Sequence, residues 1–129
     1  MATRFQREAT SEFAITATTP TSVMIGASVH SSSVLVAHDR PPQHWPVTCF
    51  ADIDGGAVAP AAVASNEIVL IGTGRSLRFP KVDALRPLIE AQIGFEVMAT
   101  DAACRTYNLL LAEGRAVAAL LLIEANPAS

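Results

Sequence analysis

The chain predicts a layered α/β domain, and three observations carry that prediction. Its first third is a series of short β-branched runs separated by turn residues. The remainder alternates apolar runs with stretches of helical period. Its 129 residues, 50% of them hydrophobic, suffice for one domain with a sizeable core. A central mixed sheet is expected, with helices on one face and a β-hairpin layer packed against the other.

Residues 1–12 are polar and expected to be a flexible N-terminus; 13–123 form the domain, and 124–129 a flexible tail. Phe13, Ile15 and Ala17 alternate with Ala14, Thr16 and Thr18, and Val23, Ile25 and Ala27 follow after Thr19-Pro20. Val29 and Val34-Leu35-Val36 come after them, so these runs read as hairpin-connected strands. From Asp39 to Pro60 the chain is expected to be loop-rich. Pro41, Pro42 and Pro46 bar helix there, Asp54-Gly55-Gly56 signals a turn, and Trp45 is expected to anchor the loop as a satellite.

Pro60–Ser65 allows a single helical turn. Glu67–Ile71 is a continuous apolar strand of the kind covered on both faces. Asp83–Gln92 fits a helix capped by Asp83, with Pro87 tolerated in its first turn and Gly94 just past its end. Phe95–Met98 is the next strand. Thr100 then caps a helix to about Glu113, whose core face is Ala103, Tyr107, Leu110 and Leu111; such a cap is worth ~1 kcal/mol. Asp101 and Arg105 form an i,i+4 pair, Gly114 stops the helix, and Ala116–Ile123 closes the sheet.

A net charge of −3 and 5% aromatic residues argue against a nucleic-acid surface, which needs concentrated positive charge and stacking platforms. Met1–Thr10 has no apolar run of a secretory signal, and Ala116–Ile123 is too short to span a bilayer. The expectation is a cytoplasmic, soluble protein that is not membrane-spanning. Cys49 and Cys104 lie far apart, outside any C-x-x-C spacing, and predict two reduced, largely buried thiols. The alternative is a reactive Cys104 at a helix start, where thiol pKa values fall, although no histidine is near it in sequence. His30, His38 and His44 lack metal-ligand spacing, and Asp52 and Asp54 read as turn formers. No metal or cofactor is expected.

Two places can carry chemistry. Gly72-Thr73-Gly74-Arg75 follows a strand, and a Gly-x-Gly turn lets backbone approach an anion while Thr73 and Arg75 supply donors. The turn lacks a third glycine and a P-loop lysine, so it is weak as a nucleotide signature, and a tight turn needing positive φ is the favoured reading. Thr100, Arg105, Asn108, Glu113 and Arg115 form the second group, expected beside the first because ligands gather outside the carboxyl ends of parallel strands.

Ile71-Gly72-Thr73-Gly74, Pro80, Gly94–Met98, Thr100, Ala103, Thr106–Leu110 and Glu113-Gly114-Arg115 resemble a small family. It includes mitochondrial respiratory complex I assembly factor 3, the adipogenesis-associated domain protein and many uncharacterised bacterial and archaeal proteins. The resemblance covers residues 13–123 and makes the chain look like a bacterial member. It implies a three-layer β/β/α domain and a non-catalytic role acting through a protein partner. The favoured expectation is therefore an interaction or assembly module. A small-molecule or anion binder, or an enzyme, using Gly72, Thr73 and Gly74 with Thr100, Arg105 and Asn108 is the alternative. Hairpin-layer edges also make a homo-oligomer possible.

Overall fold

The computed structural model describes residues 11–124. Of the segments expected to be flexible, 1–12 and 124–129, residues 1–10 and 125–129 lie outside the described residues.

An antiparallel meander opens the chain: β1 (Ile15–Thr19), β2 (Ser22–Ile25) and β3 (Ser28–His30). Ile15 of β1 and Val23 and Ile25 of β2 are buried, so the small sheet turns that part of its face inward, while the remainder of β1 is exposed. A second sheet holds β4 (Val34–Ala37), β5 (Arg40–His44), β6 (Ile68–Gly72), β7 (Gly94–Met98) and β8 (Val117–Leu121) in the order β5-β4-β8-β6-β7. β4 runs antiparallel to β5 and β8, while β6 runs parallel to β8 and β7. β8 sits at the centre and every one of its residues is buried, as its unbroken apolar run requires.

Alternate residues of the central strands build two cores. Leu35, Val69, Ile71, Ala118 and Leu120 face one side, where they meet Trp45, Val58 and Leu88. Val34, Val36, Leu70, Ala119 and Leu121 face the other, where they meet Ile15, Val23, Ile25, Ala103, Tyr107 and Leu111. The first side is covered by the short helix α1 (Gly55–Val58) and by α2 (Val82–Glu90). The second is covered by α3 (Thr100–Ala112) together with the small sheet.

The α/β class, the mixed central sheet and the second β layer agree with the sequence. The placing of helices differs: α3 lies beside the hairpin layer, on the face opposite α2. Tyr107 and Asn108 explain this, because both turn polar atoms to the start of the meander. Tyr107 Oη donates to the Phe13 carbonyl at 3.0 Å, and Asn108 bonds both backbone groups of Ile15.

Other local expectations are corrected too. The segment after Asp39 contains β5, which tolerates Pro41 and Pro42 because it is an edge strand. The Asp54-Gly55-Gly56 turn is the capped start of α1, with Asp54 Oδ1 accepting from the Ala57 amide at 2.9 Å. Trp45 belongs to the main core, 2% exposed, and its Nε1 donates to the Ala57 carbonyl at 2.8 Å. α2 begins at Val82, before Asp83, so Pro87 falls in its second turn. It ends at Glu90 with Ala91 as C-cap, and the residue just past it with left-handed φ of 57° is Gln92, whereas Gly94 already belongs to β7.

Candidate functional site

Parallel strands β6 and β8 run side by side and end together, at Gly72 and Leu121. The α3 helix begins immediately above that pair of ends. A Cβ on Gly72 would lie 3.0 Å from both Thr100 Cα and Oγ1, so glycine is what lets the helix start rest directly on the strand. Thr100 is the first helical residue; Ala99 is the N-cap and makes no side-chain capping bond, while Asp101 Oδ1 accepts from the first-turn Ala102 amide at 2.8 Å. The hydroxyl expected to cap serves the tertiary structure. It donates to the Leu122 carbonyl at 2.7 Å and accepts from the Gly74 amide at 2.8 Å, while the Thr100 amide returns a bond to the Gly74 carbonyl at 2.8 Å.

Thr73 makes a second knot. It is 0% exposed, its amide donates to the Met98 carbonyl, and its hydroxyl donates to the Ser76 carbonyl at 2.7 Å and accepts from the Arg78 amide at 3.1 Å. The Arg78 guanidinium folds back to the Thr73 carbonyl at 2.7 Å and to Glu124 at 3.1 Å, and lies over the Phe50 ring at 4.9 Å. Gly74 holds φ of 96°, and a Cβ there would run into the Glu124 carboxylate and the Arg78 guanidinium. The Gly-Thr-Gly turn is thus filled by the protein's own groups.

Its product is the loop that follows. From Leu77 to Pro80 exposure alternates: Leu77 and Phe79 point to solvent, Arg78 is half-buried and Pro80 is buried. Phe79 is 73% exposed, Leu77 51%, and Val82, which opens α2, 67%. Large apolar side chains are presented outward by a segment held from beneath at every second residue.

A cleft of about 370 Å³ lies beside the turn, between the β1–β2 hairpin tip and the start of α3. Thr18, Thr19, Arg75, Thr100, Asp101, Cys104 and Glu124 line it with Gly74, so its rim carries charges of both signs. Cys104 is 2% exposed, and burial, with Asp101 adding, pushes its thiol up to about 11. That is the reverse of an activated thiolate. Cys49 is exposed, contrary to expectation, and its thiol donates to Asp52 at 3.3 Å.

Of the residues singled out, the structure brings Gly72, Thr73, Gly74, Arg75 and Thr100 together and separates the others. Arg105 is 71% exposed, 3.7 Å from Asp101. Asn108 is spent on Ile15, to whose amide and carbonyl it bonds at 2.8 and 2.6 Å. Arg115 lies at the opposite end of the sheet, where two nitrogens meet the Glu67 carboxylate at 3.0 and 3.2 Å, and that pairing holds Glu67 below the usual carboxylate range. Sequence reasoning missed Arg78, Glu124 and the exposed trio Leu77, Phe79 and Val82. The available signal was two large apolar residues, interleaved with cations, in a stretch with no apolar period.

A family profile described as "Protein of unknown function (DUF498/DUF598)" matches residues 15–122. A crystal structure of a Bordetella parapertussis protein is 37% identical, covers 90% of this chain and 99% of its own, and superposes with a TM-score of 0.83. A Mth938-like domain of Bordetella pertussis is 30% identical, with a TM-score of 0.79 over 89% of this chain and 88% of its own. A protein described as an outer membrane protein of Bartonella henselae is also 30% identical, with a TM-score of 0.76 over 89% and 98%. The "13 kDa major membrane protein" of Francisella tularensis subsp. holarctica (strain LVS) is 39% identical over 61 residues, which are 46% of this chain and 50% of that one. The chain thus spans about half the length of the curated relative it matches. Among the described residues, no helix is long and apolar enough to cross a membrane.

Proposed function

The chain belongs to the DUF498/DUF598 family of proteins of unknown function, and from that premise we propose that it is a non-catalytic docking module whose working surface is the loop Leu77–Val82. One observation carries this: a loop that exposes Leu77, Phe79 and Val82 is pinned from within by Thr73 and Arg78. Exposing large apolar groups opposes the hydrophobic effect, and fixing them in advance lowers the ordering entropy lost on binding. Aromatic anchors on preorganised segments are what interaction hot spots are built from. An assembly role, of the kind implied by the resemblance to respiratory complex I assembly factors, fits a protein that works by docking. On this account it acts in the cytoplasm, without crossing a membrane. The test is thiol labelling of Phe79→Cys, which is expected to be slower in cells than in the purified protein; equal rates in both would remove the docking role.

The cleft supports a second function, small-molecule or anion binding at Gly74, Arg75 and Thr100. Its volume of about 370 Å³ sits at the small end of ligand sites, roughly 300–1,000 Å³. Arg75 is the cation at its rim, opposed by Asp101 and Glu124. A ligand present at 100 times its Kd adds ~2.7 kcal/mol to stability. A screen of phosphate, nucleotides and small carboxylates should then raise Tm in the wild type and less in Arg75→Ala. A flat response across the screen would leave the cleft without a ligand.

A further inference from the structure

We propose that the surface onto which this loop docks is the anionic interface of a lipid bilayer, which the chain meets peripherally; this rests on the docking role just described. The charge distribution carries it. The whole chain has a net charge of −3, yet residues 75–86 hold four of its nine basic residues and one of its twelve acidic ones. Arg78 is committed to Glu124 and Arg86 to Asp83. Arg75 and Lys81 are exposed on either side of Leu77 and Phe79, and among the described residues neither makes an ion pair. The apolar side chains therefore rise from the one strongly basic stretch of an acidic protein. Ile89, seven residues after Val82 on α2 and 49% exposed, continues the apolar line along the helix.

Those features match what an anionic interface asks of a peripheral protein. Apolar groups enter the boundary between headgroups and acyl chains, and flanking cations stay at headgroup level. Basic side chains are attracted within about a Debye length of the negative surface. None of Leu77, Phe79 and Val82 lines the cleft at Gly74, all three are exposed, and a fluid interface needs no matching shape. A protein interface would favour the aromatic anchor but is depleted in lysine, and here Lys81 stands within the apolar set.

The experiment is co-sedimentation of the purified full chain with vesicles of phosphatidylcholine alone or mixed with phosphatidylglycerol. Binding to the mixed vesicles, weakened by salt, is the expected result. Arg75→Gln and Lys81→Gln should each lower that binding about fivefold. Phe79→Ser should lower it at least about tenfold, with Leu109→Ser, at another exposed site on α3, unchanged. Since all four side chains are exposed, an unaltered Tm shows that the variants fold. If the wild type ignores both vesicles while Phe79→Cys is still shielded in cells, the occupant is a protein: the lipid proposal is overturned and the docking role stands. If the purified chain forms a dimer that Phe79→Ser dissolves, a second copy is the occupant and the proposal is likewise overturned. If vesicles are ignored and position 79 is open in cells, both fall.

Discussion

Cys104 shows how a side chain's environment decides its role. The thiol sits in the second turn of α3, past the first-turn amides that favour a thiolate, and burial among Val23, Ala103 and Leu121 pushes it up to about 11 from 9.0, against the weaker pull of Arg105. The consequence for stability has a definite sign. Between those values the unfolded chain has released this proton and the native chain has kept it, so stability is fully present below pH 9 and is lost as pH rises toward 11. Tyr107, also raised by burial, acts in the same direction at higher pH. Urea unfolding of wild type and Cys104→Ala should therefore show a stability difference that shrinks from pH 8 to pH 11. A constant difference would mean that Cys104 is not held neutral. The sequence could not decide this, because burial sets the thiol and only tertiary packing fixes the burial.

At the scale of elements, Thr100 is the junction of three: the turn after β6, the start of α3 and the segment after β8. Thr100→Val keeps the shape and leaves the Gly74 amide and Leu122 carbonyl without their partner. At ~1–3 kcal/mol for each of these two part-buried groups left unsatisfied, the variant should lose about 2–6 kcal/mol. Thr100→Ser, which retains the hydroxyl, should lose less than half of that in the same denaturant titration. Comparable losses from both would show that the methyl group, rather than the hydroxyl, holds the junction. The elements themselves were largely legible. Continuous apolar runs gave β6 and β8, and the period of Ala103, Tyr107 and Leu111 gave α3, whose end at Gly114 is a Schellman turn with Arg115 N donating to the Leu110 carbonyl at 3.0 Å. Where the sequence misled, a tertiary effect overrode a local rule. Prolines 41 and 42 are accommodated at a sheet edge, and Gln92 takes the left-handed position expected of Gly94. Thr100 has the composition of a cap, but the atoms it meets are 22 and 26 residues away in sequence.

For the whole molecule, the central sheet separates two faces and gathers its strand ends at one pole. That pole carries the Gly72–Gly74 turn, Thr100, the cleft and the braced loop, while Arg115 and Glu67 close the other. Half of the proposed site was therefore readable: the parallel strands placed Gly72–Arg75 beside Thr100. The exposed apolar trio was not, because a side chain is known to be unpartnered only once everything else has been packed. The most direct measurement of the docking role is maleimide labelling of Phe79→Cys in a Cys49→Ser background, in cells and in purified protein, with Leu109→Cys as reference. Both positions are exposed in the isolated chain, at 73% and 60%. The account predicts equally fast labelling of both when purified and selective protection of position 79 in cells. Position 79 labelling as fast as position 109 in cells would contradict it.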